Sequence, residues 1–154
     1  MILDDRYAAG LFDGEGCVRI AKWKKPNSTH ERYSIFIGMN MVHRPIIEAF
    51  KETYGGSLHQ PKHPRHPKWR PVFLWALGSQ EAATFLRRIQ PYSIVKREEI
   101  DVALQLQAHI EANPYVSAGR NHLRENRDDL LAYRASLHKQ ISDLKKISYP
   151  LLTS

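Results

Sequence analysis

The sequence predicts an α+β fold in which a four-stranded antiparallel sheet carries helices on one face. Two observations support this class: two pairs of β-prone segments are each joined by turn-forming residues, and helical periodicity precedes or follows each pair. No internal repeat is visible. The predicted order is α-β-β-α-β-β-α, followed by a further helix and a C-terminal helix. Such a sheet leaves its second face open to a partner.

Capping residues, periodicity and helix breakers place the individual elements. Asp4 or Asp5 can cap a first helix, and Gly14 and Gly16 would end it. Pro45 suits the first turn of the second helix. The prediction in chain order is a helix around 5–11, strands at 17–21 and 32–41, a helix at 45–54, strands at 57–60 and 70–77, and helices at 79–89, 94–110 and 123–147.

Composition indicates one basic domain with a real core, since 42% of the 154 residues are hydrophobic. We assign 1–112 to the core and 113–154 to a loop and C-terminal helix of the same domain. The net charge of +7 favours a polyanionic partner. The lone Cys17 excludes an internal disulfide. With no membrane-length apolar run and no secretory signal, we expect an intracellular protein that does not bind membranes.

The segment from Ala8 to Gly16 combines small residues with two acids. Ala8, Ala9 and Gly10 have almost no side chain, so another helix could approach this backbone closely. Glu15 would then lie at a helix C-terminus, near its own copy across a two-fold axis. Two such carboxylates repel one another unless divalent cations bind between them. The alternative for this segment is a helix stop followed by a tight turn.

These nine residues resemble the signature of the LAGLIDADG homing endonucleases. Ala9, Gly10, Leu11, Asp13 and Gly16 agree with it, whereas the first position and the second acid depart from the usual Leu and Asp. The resemblance implies a homodimer, because the chain holds one motif, that cuts one phosphodiester per strand of a long pseudo-palindromic DNA. It also implies Mg²⁺, for which Mn²⁺ could substitute, short 3′ overhangs and a gene inside an intron or intein. The predicted dimer interface is Ala8, Ala9, Gly10, Phe12 and Asp13, and the predicted metal ligands are Glu15 and Gly14.

Three further residues join Glu15 as candidate catalytic residues. Gln90-Pro91-Tyr92 followed by Lys96 resembles the family segment that leads to a lysine near the scissile phosphate, where a cation offsets transition-state charge. The alternative for Lys96 is a solvated lysine at the start of an exposed helix. Asn40 and His43 could order the attacking water. Met39 stands where the family has a polar residue, so packing or capping remains the alternative for both.

The free sheet face is the predicted DNA-binding surface, because a sheet can lie in the major groove. Strand alternation places Arg19, Ala21 and Trp23 opposite Val18 and Ile20. Solvated basic strand edges that prevent aggregation are the alternative. The predicted DNA contacts are Arg19, Ala21, Lys22, Trp23, Lys25, Gln60, Lys62, Arg65, Lys68 and Arg70. Either phosphate contact or simple solvation would explain Arg120, His122, Arg124 and Arg127.

Two other functions fit the same resemblance. An RNA-binding intron maturase would keep the fold without cutting DNA, and a catalytically inactive DNA-binding protein would keep the sheet face alone. The presence of Glu15 and Lys96 argues against a loss of activity. A Mg²⁺-dependent cleavage assay separates these functions.

Overall fold

The computed structural model describes residues 1–24, 26, 31–61, 70–114 and 127–147. The predicted α+β class and element order are confirmed. The elements are α1 (Asp5–Glu15), β1 (Gly16–Lys24), β2 (Glu31–Met41), α2 (Arg44–Tyr54), β3 (Ser57–His59), β4 (Phe73–Gly78), α3 (Ser79–Ile89), α4 (Arg97–Ala112) and α5 (Arg127–Leu144).

The four strands form one antiparallel sheet in the order β1-β2-β4-β3. Gly16 pairs with Met39, so β1 starts beside the end of β2. Val18 pairs with Ile37, and both side chains are fully buried against the helices. Because successive side chains of a strand point to opposite faces, the residues that alternate with Val18 and Ile37 face away from the helices. This alternation gives the sheet one core face and one free face.

The core between sheet and helices is built around an aromatic cluster centred on Phe85 of α3. Its ring lies 5.2 Å from that of Phe12 in α1, 5.1 Å from Trp75 in β4 and 4.8 Å from Tyr54 in α2. Edge-on geometry at these distances is the favoured arrangement for aromatic pairs. Four elements are therefore joined at one point.

α1 begins where the capping residues predict and ends later than expected. The Asp4 carboxylate accepts hydrogen bonds from the N–H groups of Arg6 and Tyr7. The helix continues through Gly14 to Glu15, and the Gly16 N–H still donates to the Phe12 carbonyl. Gly14 therefore does not stop the helix, because the intrahelical hydrogen bonds continue past it.

α4 begins at Arg97, three residues after the predicted start at 94. The N–H groups of Ile94, Val95 and Lys96 donate to the side chain of Asp13. These amides are thus directed at a carboxylate of another helix, and residues 94–96 form a bend followed by a turn instead of the first turn of α4.

α5 packs against α4 and the sheet through Leu137 and Ile141, which are both buried. Arg134 of α5 is also buried and donates to the His109 ring and the Asn113 carbonyl at the end of α4. Within the described ranges, no helix combines the length and apolar character needed to span a bilayer.

Candidate active site at the junction of α1 and α4

The Asp13 carboxylate joins the C-terminal turn of α1 to the start of α4. It accepts hydrogen bonds from the Ser93 hydroxyl and from the backbone N–H groups of Ile94 (2.7 Å), Val95 (3.1 Å) and Lys96 (3.2 Å). An anion is stabilised at this place, because unpaired amides and the helix dipole both favour negative charge at a helix N-terminus. Asp13 is therefore a link between two elements rather than a surface residue.

The electrostatics of Asp13 agree with this role. Burial raises the pKa of the carboxyl, but the hydrogen bonds from Ser93 and from the amides of Ile94, Val95 and Lys96 together bring it below its ordinary value. The hydrogen bonds outweigh burial because each of them stabilises the charged form. Asp13 is consequently ionised at neutral pH.

Lys96 lies at the same junction, beside the end of α1. Its Nζ donates to the Asp13 main-chain carbonyl at 2.9 Å, and its side chain is half-buried. Carbonyl groups in the last turn of a helix lack intrahelical donors, and a cation there also favours the helix dipole. The predicted lysine thus contacts a residue that lies two positions before the predicted carboxylate, Glu15.

Glu15 is the last residue of α1, and its side chain is exposed. Among the described residues, no cation or hydrogen-bond donor contacts its carboxylate. The Glu15 carboxylate and the Gly14 carbonyl are hard oxygen donors of the kind that Mg²⁺ prefers. Within the described part of one chain, no group of three or more His, Cys, Asp or Glu side chains could hold a metal ion.

Asn40 and His43 differ in their surroundings. Asn40 is exposed on the free face and follows Met39, the strand partner of Gly16, so it lies at the sheet end where α1 finishes. The Nδ1 of His43 instead accepts the Ile46 N–H at 3.3 Å and caps α2. The capping alternative thus describes His43, and its water-ordering role remains only a prediction.

Most of the predicted dimer-interface residues lie inside the protomer. Ala8, Ala9 and Phe12 are fully buried inside the protomer, and Asp13 is 9% exposed. Their side chains offer no surface to a second copy, because they already pack in the core or bond to the start of α4. Of the five predicted interface residues, Gly10 alone is exposed.

The exposed part of α1 includes two glycines, Gly10 and Gly14, besides Arg6, Tyr7 and Glu15. A Cβ added at Gly10 or at Gly14 would meet no atom within 4 Å. Beyond the helix end, Ile94 is 85% exposed and Val95 is 74% exposed. Their backbones bond to Asp13, so these two exposed apolar residues lie near the C-terminal end of α1. We call Gly10, Gly14, Ile94 and Val95 the α1 face.

Strand alternation correctly places three of the predicted DNA contacts on the free face. Arg19 pairs with Phe36 in the sheet, and its guanidinium lies 4.2 Å from the Phe36 ring centroid. Ala21 is half-buried, and Trp23 is exposed. Lys22 has the opposite parity and bonds to Glu31 at 2.9 Å.

Only two of the remaining predicted DNA contacts lie among the described residues. Gln60 and Arg70 are exposed where the chain leaves β3 and approaches β4. The predicted contacts Lys25, Lys62, Arg65 and Lys68 lie outside the described residues. Arg120, His122, Arg124 and the side chain of Arg127, for which phosphate contact and solvation were both open, lie outside them as well.

The sequence interpretation missed two residues, one on the free sheet face and one at the junction of α1 and α4. Arg32 pairs with Trp23, and its guanidinium lies 5.3 Å from a Trp23 ring centroid on the free face. The buried odd-numbered positions of β2 would have indicated it. Ser93, the hydroxyl donor to Asp13, has no comparable signal, because only the tertiary fold brings it to α1.

No protein-family model matches the sequence, and no curated protein matches it. Solved structures do match the fold. The homing endonuclease I-CvuI, solved with its target in the presence of calcium, gives a TM-score of 0.71 at 14% identity, over 96% of this chain and 85% of that chain. The archaeal intron-encoded homing endonuclease I-Vdi141I, complexed with DNA, gives a TM-score of 0.71 at 14% identity, over 94% of this chain and 86% of that chain. The LAGLIDADG homing endonuclease I-GzeII, in complex with a DNA target, gives a TM-score of 0.67 at 14% identity, over 99% of this chain and 53% of that chain. This chain therefore has the fold of the LAGLIDADG homing endonucleases.

Proposed function

We propose that this protein is a site-specific, metal-dependent double-stranded DNA endonuclease of the homing type, acting as a homodimer. The observation that carries the proposal is the position of Lys96, whose Nζ bonds to the end of α1 two residues before the exposed Glu15. A carboxylate that can bind a metal ion and an ammonium group that can offset transition-state charge are side chains that metal-assisted phosphodiester hydrolysis can use. The fold and the motif support the same assignment.

Dimerisation would occur through the α1 face. Gly10 and Gly14 leave room for a close helix, and exposed Ile94 and Val95 supply apolar area beside them. An isologous pairing presents the same surface from each copy. Pairing of α1 with its own copy would bring two Glu15 carboxylates together and complete the site that one chain leaves partial.

Glu15 and the Gly14 carbonyl would hold Mg²⁺, or Mn²⁺ in its place, together with oxygens of the DNA. When bound, the metal supplies positive charge to the attacking and leaving oxygens. Lys96 would keep a second positive charge at the same place. Asn40, on the free face at this end of the sheet, would orient water.

The free face would lie along the major groove, with Arg19, Ala21 and Trp23 toward the bases. Lys22, Gln60 and Arg70, at the sheet periphery, would contact phosphates. I-CvuI, I-Vdi141I and I-GzeII were each solved with DNA, which supports this choice of partner. Because a two-fold dimer mirrors its site, the target would be long and pseudo-palindromic.

The test is selection of cleaved molecules from a randomised library of pseudo-palindromic duplexes, with Mg²⁺ or with EDTA. We expect cleavage of both strands in Mg²⁺ alone, and we expect Glu15→Gln to lower the single-turnover rate at least about 1,000-fold. The matched control is Glu81→Gln, which removes an exposed carboxylate on α3 far along the chain from the motif.

Each result has one interpretation. A folded dimer that cuts no duplex in Mg²⁺ contradicts the proposal, and so does a Glu15→Gln variant as active as the parent protein. Tight binding to structured intron RNA without DNA cleavage would instead identify a maturase. Binding to duplex DNA that is unchanged by Glu15→Gln, without cleavage, would identify an inactive DNA-binding protein.

A further inference from the structure

The interactions of Asp13 go beyond joining two helices. Its carboxylate accepts the Lys96 backbone N–H at 3.2 Å, and its main-chain carbonyl accepts the Lys96 Nζ at 2.9 Å. Asp13 therefore holds both ends of the same lysine. No charged group of the described chain other than Lys96 makes this double contact with Asp13.

We propose that Asp13 is the positioning residue for Lys96: its buried carboxylate fixes the start of α4 so that the Lys96 ammonium stays on the last turn of α1. The inference rests on the proposed function, in which Lys96 acts at the scissile phosphate. Asp13 itself, buried behind the helix end, would touch neither DNA nor metal.

The geometry explains why an aspartate is required. Three consecutive N–H groups and one hydroxyl converge on two carboxylate oxygens. An asparagine offers one acceptor oxygen, and its NH₂ group would face donors instead of acceptors. Asp13→Asn therefore keeps the shape of the side chain while breaking about half of its hydrogen bonds.

Positioning matters because a lysine side chain is long and loses considerable rotamer entropy when it is held in place. A shift of the α4 start would release the ammonium to solvent, and a misplacement of about 1 Å at a reacting centre can cost about 100-fold in rate. The Lys96 ammonium would then no longer be held in a fixed position relative to Glu15.

The test is a double-mutant cycle on single-turnover cleavage, with Asp13→Asn and Lys96→Met made singly and together. We expect Asp13→Asn to lower the rate about 10- to 100-fold in the parent protein and less than about 2-fold when Lys96 is already Met. The dissociation constant for DNA, measured in Ca²⁺, should change less than about 3-fold. A merely structural role would lower the rate by the same factor in both backgrounds, and this result overturns the proposal.

A second readout does not depend on cleavage. In DNA-free protein labelled with ¹⁵N-lysine, we expect the Lys96 ammonium resonance, assigned by its loss in Lys96→Met, to show slow rotation that Asp13→Asn removes. Unchanged rotation in Asp13→Asn overturns the positioning role. Slow, Asp13-dependent rotation in a protein that never cleaves DNA would refute the nuclease and leave the positioning intact.

Two variants control for folding. Ser93→Ala removes one hydrogen bond from Asp13, leaves the three amides, and should give a smaller rate loss with the same dependence on Lys96. Asp101→Asn changes an aspartate of α4 that accepts from Gln90 at 2.7 Å and has no contact with Lys96. We expect its cleavage rate to match that of the parent protein. If Asp13→Asn does not fold, the Ser93→Ala cycle decides the question by the same criterion.

Discussion

At the scale of single residues, the turn between α2 and β3 is held in a backbone conformation that other residue types rarely adopt. Gly55 and Gly56 have φ angles of +79° and +85°. The Gly55 carbonyl accepts the Nε1–H of the buried Trp75 at 2.9 Å, which ties the turn to the core. A Cβ at Gly55 would meet no atom within 4 Å, whereas one at Gly56 would lie 2.5 Å from the Ala76 carbonyl oxygen.

The two glycines therefore form a matched pair for substitution. We expect Gly55→Ala to lower the free energy of unfolding by roughly 1–2 kcal/mol through backbone strain alone. Gly56→Ala should lower the free energy of unfolding by roughly 2 kcal/mol more than Gly55→Ala does, because the backbone of β4 must also move. Urea denaturation at one fixed protein concentration measures both values. Equal losses would show that the contact with β4 contributes nothing.

At the scale of elements, α1 presents different faces to different neighbours. Ala8, Ala9 and Phe12 pack into the core, Asp13 bonds to the start of α4, and Gly10 stays open. A bulky side chain at Gly10 would consequently leave the protomer intact and obstruct only a second copy.

We expect Gly10→Leu to raise the dimer dissociation constant at least about 100-fold without loss of the folded protomer. The reason is steric, since closely packed helices leave no room for a leucine at a glycine contact. Sedimentation equilibrium gives the dissociation constant, and circular dichroism checks the fold. Thr84→Leu, on the exposed side of α3, is the control. Unaltered self-association in Gly10→Leu would exclude the α1 face as the interface.

The contact between α4 and α5 depends on a neutral histidine. The Arg134 Nε–H donates to the Nδ1 of His109 at 3.1 Å, and the His109 ring lies 4.6 Å from the Tyr133 ring in a tilted arrangement. Burial, and then the charge of Arg134, lower the pKa of His109. Protonation would replace the acceptor at Nδ1 with a donor and place two cations side by side.

The sign of the pH dependence follows from this lowered pKa. The stability contributed by neutral His109 is complete above the ordinary histidine pKa of about 6.5 and is lost as the pH falls through the lowered folded value. We expect the unfolding free energy to decline over this acidic range, and His109→Gln, which keeps an acceptor but does not titrate, to flatten the decline. Urea denaturation between pH 4.5 and 7.5 tests this. An identical slope in His109→Gln would assign the decline to other groups.

At the scale of the whole molecule, Phe85 connects α1, α2, α3 and the sheet through its ring contacts with Phe12, Tyr54 and Trp75. Its side chain is almost fully buried. α1 and the sheet thus share one support, so the core determines how the candidate site lies relative to the proposed DNA-binding surface.

We expect Phe85→Ala to lower the free energy of unfolding by about 3–5 kcal/mol, because it leaves a cavity among four elements. Phe36 is half-buried on the free face, and Phe36→Ala should lower the free energy of unfolding by less than about half as much. Far-ultraviolet circular dichroism and tryptophan fluorescence should report the same transition in Phe85→Ala. Two separate transitions would show that the sheet and the helices unfold independently.

The sequence by itself determined the order of elements and the alternation that exposes Arg19 and Trp23, and it narrowed the α1 cap to Asp4 or Asp5. It also selected Glu15 and Lys96 as candidate catalytic residues. These features depend on residues within a few positions of one another, where capping groups and periodicity are visible. It also selected the segment of α1 as the dimer interface, which stays a prediction, although the structure buries Ala8, Ala9 and Phe12 inside the protomer.

Only the tertiary structure decided which side of α1 is buried, that His43 caps α2, and that Asp13 holds Lys96. Asp13 and Ser93 are separated by 80 positions in the chain. No local pattern encodes such a contact, because the burial of a helix face and the partner of a carboxylate depend on which remote elements pack against them.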